Sequence, residues 1–116
     1  MVDLPPKKIV SVVFYKQANG KEPVRDWLKS LTKNQKKIIG EDIKTVEIGW
    51  PLGMPLVKNL GKGIWEVRSS FRSGIVRILF KIKEHRMVLL HGFIKKSQKT
   101  PSQDLTMALK RAKTLR

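Results

Sequence analysis

The chain of 116 residues is 41% hydrophobic, which is enough to bury one compact core, so we expect a single domain over residues 1–116. It contains no cysteine, which excludes a disulfide framework and a thiolate metal site. No apolar run reaches the roughly 18 to 20 residues of a membrane span, and no signal-peptide stretch follows Met1. We therefore expect a cytoplasmic protein with no membrane partner.

The formal net charge of +16 is concentrated in the second half of the chain. Residues 1–55 hold ten basic and six acidic residues (net +4), whereas residues 56–116 hold fifteen and three (net +12). A field of this size attracts polyanions at long range, which favours RNA or DNA as the partner class. An anionic membrane surface is a weaker alternative, because the basic residues are not gathered on one amphipathic helix. A basic surface that merely keeps the protein in solution is the remaining alternative.

The first half of the chain predicts one strand followed by a helical hairpin. Residues 9–15 are dense in β-branched and aromatic residues and predict the strand. Pro23 suits the first turn of a helix, while Thr32 and Gln35 form a capping box that begins a second helix, which Gly49 ends. Apolar residues at helical spacing predict that both helices pack on a sheet: Val24, Trp27, Leu28 and Leu31, then Ile39, Ile43 and Val46.

From Leu56 onward the pattern changes to strands and ends in a helix. The predicted strands span residues 56–60, 64–69, 75–83 and 86–95. Their short connections predict antiparallel pairing. Thr100 as N-cap, Pro101 as the first helical residue and Gln103 as capping partner predict the C-terminal helix. The fold class is therefore α+β: an N-terminal strand, a helical hairpin, a curved antiparallel sheet and a C-terminal helix.

Alternation along the strands separates the two faces of the predicted sheet, because residues two apart point the same way. One apolar face belongs to the core under the hairpin: Trp65, Val67, Val76, Ile78, Phe80 and Ile82. In the last strand the polar His91 favours an outward-facing set: Met87, Leu89, His91 and Phe93. We therefore expect Arg68, Arg77, His91 and Phe93 to meet on the uncovered face of the sheet.

That group of side chains has the parts of a phosphodiester site. Guanidinium groups bind phosphate oxygens, an imidazole moves protons near neutral pH, and an aromatic ring can stack on an unstacked base. No carboxylate cluster and no Cys/His spacing offers a metal site, so cleavage would proceed without metal or other cofactor. The remaining chemistry is attack by an RNA 2′-hydroxyl on the adjacent phosphate, which needs a base, an acid and stabilisation of negative charge.

Each candidate residue also has a structural alternative. Arg68 could pair with Glu66 or Glu84 across strands, and His91 could be a structural histidine. Phe93 could belong to the core rather than serve as a stacking platform. Three lysines before the last helix are individually ordinary surface residues, but their crowding beside arginines could ready one of them to act as a base: Lys95, Lys96 and Lys99.

Three segments carry a resemblance that spans nearly the whole chain: residues 14–24, residues 64–68 with 77–80, and residues 89–101, the most specific of the three. In these segments the chain resembles the HigB-type, phage-derived branch of the RelE/ParE superfamily, the toxins of bacterial toxin–antitoxin modules. The resemblance implies a RelE-like fold that agrees with the elements predicted above. It also implies a ribosome-dependent messenger-RNA endonuclease that cuts in the ribosomal A site. The implied partner is a helix-turn-helix antitoxin, encoded alongside, that silences the toxin in a hetero-oligomer.

Carried over by position, the resemblance assigns Arg68 and Arg77 to the scissile phosphate. The superfamily varies its acid and base between branches, so the resemblance does not assign proton transfer, and our own candidates for it are His91 and Lys95. The RNA-binding candidates are Arg72, Phe93, Lys96 and Lys99, and the last three lie in the segment 93–99 to which the resemblance assigns base stacking and phosphate contacts. The tyrosine that some relatives use near the chain end is missing, since the single tyrosine is Tyr15 in the first strand.

Two other functions fit the same sequence. A DNA gyrase inhibitor like the ParE branch would need no active site, and DNA breaks would accumulate on expression while messages stay whole. A non-catalytic RNA-binding module would show salt-dependent affinity and no cleavage product. Growth arrest on induction would separate this module from the other two.

Overall fold

The structure, a computed structural model, describes residues 7–95 and 99–115. Within these residues three helices and five strands follow one another along the chain in the order strand, two helices, four strands, helix. The elements are β1 (Ser11–Phe14), α1 (Pro23–Lys29), α2 (Lys33–Gly49), β2 (Val57–Gly61), β3 (Ile64–Phe71), β4 (Gly74–Lys83), β5 (Arg86–Lys95) and α3 (Ser102–Ala112). This arrangement confirms the predicted α+β class.

The helical hairpin forms as the sequence predicts. Pro23 opens α1, where the absence of its N–H costs nothing. The Thr32 side chain accepts a hydrogen bond from the backbone N–H of Gln35, and the Gln35 side chain accepts one from the backbone N–H of Thr32, so the capping box of α2 is confirmed. The helix ends at Gly49, and Trp50 is extended because the residue before a proline avoids helical geometry.

The five strands form one sheet in the order β1-β5-β4-β3-β2. The four strands of the second half pair antiparallel with their neighbours in sequence, as predicted. β1 is shorter than the predicted span 9–15 and joins the edge of the sheet parallel to β5. The connection between β4 and β5 is the two-residue turn Glu84-His85, and both residues have positive φ (51° and 64°), which is the geometry of a tight hairpin turn.

Helices cover the sheet on both faces and create two apolar clusters. The hairpin-side cluster includes Val24, Ile39, Ile43, Val46, Val67, Val76, Ile78, Phe80, Met87 and Leu89. The α3-side cluster includes Ile64, Leu79, Val88, Leu90, Ala108 and Ala112, with Phe93, Leu105 and Leu109 packed against it. The core face predicted for β3 and β4 is thus confirmed. The expectation that the other face lies uncovered is wrong, because the apolar stripe of α3 packs on it.

The outward-facing set predicted for β5 is wrong in its first half. His91 pairs with Leu79, but Phe80 pairs with Leu89, so a bulge interrupts the ladder between these pairs. One extra residue reverses the alternation. Met87 and Leu89 therefore belong to the hairpin-side cluster, whereas His91 and Phe93 share the face of Leu79.

The N-terminus of α3 also differs from its prediction. Pro101 is the N-cap, and no side chain caps the helix. The Thr100 hydroxyl, predicted as the cap, instead donates to Glu66 Oε2 at 2.6 Å. A buried carboxylate needs hydrogen-bond donors more than a helix end near solvent does, and this contact fixes Thr100 on the sheet.

None of the helices within residues 7–95 and 99–115 is long and apolar enough to cross a membrane. The expectation of one domain over residues 1–116 stays a prediction.

Candidate functional site

The predicted site residues lie on neighbouring positions of one sheet face. Arg68 of β3 is directly opposite Arg77 of β4, and Arg77 is opposite Phe93 of β5. Arg68, Arg77 and Phe93 thus form a row across three strands. A parallel row on one side consists of Glu66, Leu79 and His91, and one on the other side consists of Ser70, Ile75 and Lys95. We call these nine residues the arginine face. Directly opposed residues have Cβ atoms about 4.5–5.5 Å apart, so side chains within a row touch.

The centre of the arginine face is buried. Arg77 and Glu66 have 0% exposed area and Arg68 has 8%. Glu66 Oε1 lies 3.4 Å from Arg68 Nε and 3.8 Å from Arg77 Nη1. The alternative that Arg68 pairs with Glu66 is therefore the observed one, while the exposed Glu84 pairs with Arg86 at 3.5 Å. The expectation that Arg68 and Arg77 lie open to a phosphate is wrong.

The charge of Arg77 is held in a medium that penalises it. Burial lowers the pKa of Arg77 from its ordinary value, Glu66 counteracts this by raising it, and the like charge of Arg68 lowers it. An arginine keeps its proton at any pH at which proteins work, so Arg77 holds a positive charge in the buried centre of the arginine face. In that low-dielectric environment its field falls off less than it would in water.

His91 is held by a residue that the sequence patterns do not indicate. Its Nε2 lies 2.6 Å from Oδ1 of Asp104, and the two side chains are 21% and 13% exposed. Asp104 belongs to the first turn of α3, where an acidic residue is usual because it complements the helix dipole. The sequence therefore gives no reason to expect that Asp104 contacts His91 of β5, because this contact depends on how α3 packs on the sheet. The imidazole also stacks on Phe93, with 5.8 Å between ring centroids and planes 28° apart.

A cleft of about 190 Å³ opens beside His91 between α1, β5 and α3. Its lining residues are Pro23, Val24, Trp27, His91, Gly92 and Arg111. Arg111 is fixed there, since its Nη1 donates to the Leu90 carbonyl at 2.7 Å and its guanidinium lies 5.6 Å from the centroid of the Tyr15 ring. Burial lowers the pKa of Arg111, and Tyr15 counteracts this by raising it.

Two of the remaining candidates, Arg72 and Lys95, lie at the end of the arginine face where the row of Ser70, Ile75 and Lys95 approaches the turn between β3 and β4. Arg72, in the turn between β3 and β4, and Lys95 and Lys99 are exposed. Lys96 lies outside the described residues. Phe93 is half-buried and packs against the α3-side cluster, so it contributes to the core, as the alternative for this residue predicted. The face therefore changes from buried charge at its centre to exposed cations at one end.

These features define a class of protein. An N-terminal strand, a helical hairpin, a five-stranded curved sheet and a C-terminal helix make a RelE-like fold. Residues 26–113 match the family described as Phage derived protein Gp49-like (DUF891). This match covers most of the chain, and the protein belongs to that family, which is part of the RelE/HigB-like toxin superfamily. A comparison with curated proteins gave no match.

Family membership is consistent with a toxin of a toxin–antitoxin system and suggests an antitoxin as partner.

Proposed function

We propose that this protein is a HigB-type toxin that cleaves messenger RNA on the ribosome without a metal ion. The observation that carries the proposal is the position of the His91 imidazole. Its Nε2 lies 2.6 Å from Asp104 of α3, and His91 shares a sheet face with two buried arginines and the exposed Lys95. A fixed group that can exchange protons, next to positive charge, is what phosphodiester cleavage by a 2′-hydroxyl requires.

In the proposed reaction the 2′-oxygen attacks phosphorus, the bond from phosphorus to O5′ breaks, and the products are a 2′,3′-cyclic phosphate and a 5′-hydroxyl. One group removes the proton of the 2′-hydroxyl and another gives a proton to O5′. His91 and Lys95 are the proposed pair. They lie four residues apart on β5, about 13 Å along the strand. A scissile phosphate above Phe93 would lie between them, because residue 93 is midway between residues 91 and 95 on the same face. The long lysine side chain can reach back along the strand toward that phosphate.

Because Arg68 and Arg77 are buried, we assign the direct phosphate contacts to exposed cationic side chains instead. Arg72, Lys95 and Lys99 are accessible to a backbone phosphate, and Lys96 joins them by the family resemblance. Arg68 and Arg77 contribute through their charge, which stabilises negative charge developing above the face. The net charge of +16 draws the protein to ribosomal RNA in the cytoplasm. A helix-turn-helix antitoxin would silence the toxin in a hetero-oligomer.

The proposal is tested with purified protein and ribosomes programmed with a short end-labelled message. The wild-type protein should cut the message in the A site, and His91→Gln and Lys95→Ala should each slow single-turnover cleavage by about 10²–10⁴-fold. Lys44→Ala is the matched control, because Lys44 is exposed on α2, on the other side of the sheet. Equal cleavage by His91→Gln, Lys95→Ala and the control would refute the proposed assignment.

The burial of Arg68 and Arg77 favours a second candidate, an RNA-binding module without catalysis, because the groups expected to contact phosphate directly are covered. Such a module would bind the programmed ribosome with strong salt dependence and leave the message whole at every protein concentration. The same labelled message distinguishes the two functions.

A further inference from the structure

We infer that Asp104 is a positioning residue that sets the orientation and tautomer of His91 for proton transfer. This inference rests on the proposed RNA cleavage. It adds a residue from α3 to a site whose other candidates all lie on the sheet, in the turn between β3 and β4 or in the segment before α3.

The contact has the geometry of a strong, orienting hydrogen bond. Thirteen residues separate Asp104 from His91, and the 2.6 Å contact joins α3 to β5. An ionised carboxylate can only accept, so the imidazole donates through Nε2. A neutral ring then carries its lone pair on Nδ1. Phe93 stacks on the ring and limits its rotation, so the orientation of the imidazole is fixed by two neighbours.

The groups around the imidazole single out Asp104. From α3, Asp104 and Arg111 face it; the α1 residues that line its cleft are Pro23, Val24 and Trp27, which do not titrate. On β4 its neighbour is the apolar Leu79. Arg111 is held by the Leu90 carbonyl and Tyr15. Among the described residues that face His91, the carboxylate comes from Asp104 alone.

This arrangement gives each proton a place to go. Nδ1 of His91 takes the proton of the 2′-hydroxyl as the oxygen attacks phosphorus, and the imidazolium that forms is stabilised by the carboxylate of Asp104. The bond from phosphorus to O5′ breaks, and O5′ receives a proton from a second group, for which Lys95 is the candidate. Asp104 keeps its hydrogen bond to Nε2 of His91 throughout and touches no atom of the RNA.

The test compares Asp104→Asn, Asp104→Glu and His91→Gln in single-turnover cleavage on programmed ribosomes. Asp104→Asn should lower the maximal rate by at least about tenfold, and by no more than the roughly 10²–10⁴-fold that general base catalysis contributes, and it should leave the concentration for half-maximal rate unchanged. Asp104→Glu should recover part of the rate, because it restores a carboxylate. A fourth protein combines Asp104→Asn with His91→Gln. This double variant should be no slower than His91→Gln alone, because Asp104 acts only through His91.

Asp26→Asn is the matched control, since Asp26 also lies in the first turn of a helix but its side chain is 62% exposed. Urea unfolding of each variant separates loss of rate from loss of fold. A folded Asp104→Asn protein that cuts at the wild-type rate would overturn the inference. So would a double variant that is slower than His91→Gln by the full Asp104→Asn factor, which indicates a separate structural role. If the wild-type protein leaves the message whole, the proposed function itself has failed and the inference falls with it.

Discussion

Replacement of Arg77 by methionine should destabilise the protein strongly. Arg77 and Glu66 are completely buried and Glu66 Oε1 lies 3.8 Å from Arg77 Nη1. Removing one member of a buried ion pair costs about 3–5 kcal/mol, and Glu66 would then keep only part of its compensation, from Arg68 Nε at 3.4 Å and the Thr100 hydroxyl at 2.6 Å. Domains of this size have a free energy of unfolding of about 5–15 kcal/mol, so the variant would lose a large part of its stability.

Urea unfolding followed by tryptophan fluorescence measures this loss. At a slope near 2 kcal/mol per molar, a loss of about 4 kcal/mol lowers the unfolding midpoint by about 2 M. Glu66→Gln should also be destabilising. The double variant should cost less than the sum of the two by about 0.5–3 kcal/mol, because each substitution removes the charge that the other leaves buried.

Arg86→Met is the control. The Arg86 side chain is 45% exposed and its partner Glu84 is 77% exposed, so this change should stay within about 0.5 kcal/mol of the wild-type protein. An Arg77→Met protein as stable as this control, or two single variants whose losses simply add, would refute the reasoning. Loss of activity on replacing Arg77 therefore reports on catalysis only in protein that is shown to be folded.

Four further substitutions test local contacts and the RNA-binding residues. Gly92→Ala should lower the free energy of unfolding by about 1–3 kcal/mol, because a Cβ there would lie 2.6 Å from Cζ3 of Trp27. Gly40→Ala, with open space around it in α2, should raise the free energy of unfolding by about 0.5–1 kcal/mol. Urea unfolding midpoints measure both changes. Thr32→Ala should cost about 1 kcal/mol in the same assay, and no loss would mean that the capping box does not stabilise α2. Arg72→Ala should weaken RNA binding and reduce the slope of log affinity against log salt by about 1, and an unchanged slope would remove Arg72 from the phosphate contacts.

Features that depend on local spacing could be predicted from the sequence. The Thr32 capping box and the Glu84-His85 turn are set by a few adjacent residues, and both are present. The core face of β4 follows from period-two alternation around Ile78 and Phe80, which both lie in the hairpin-side cluster. These features need no knowledge of where distant parts of the chain lie.

Features that depend on packing between distant elements could not. The bulge near Leu89 leaves no mark in the residue pattern, so alternation misplaces Met87 and Leu89. α3 packs on the face that carries Arg77, and Arg77 is completely buried there, which alternation along β4 does not indicate. The same packing brings Asp104 to His91. Sequence spacing places residues on a face but does not say what covers that face.

Mapping of RNA ends after brief induction tests the central claim most directly. We expect 2′,3′-cyclic phosphates and 5′-hydroxyls within coding frames for the wild-type protein, and their loss in a folded His91→Gln variant. Messages that stay whole while DNA breaks accumulate would contradict it and indicate a gyrase inhibitor instead.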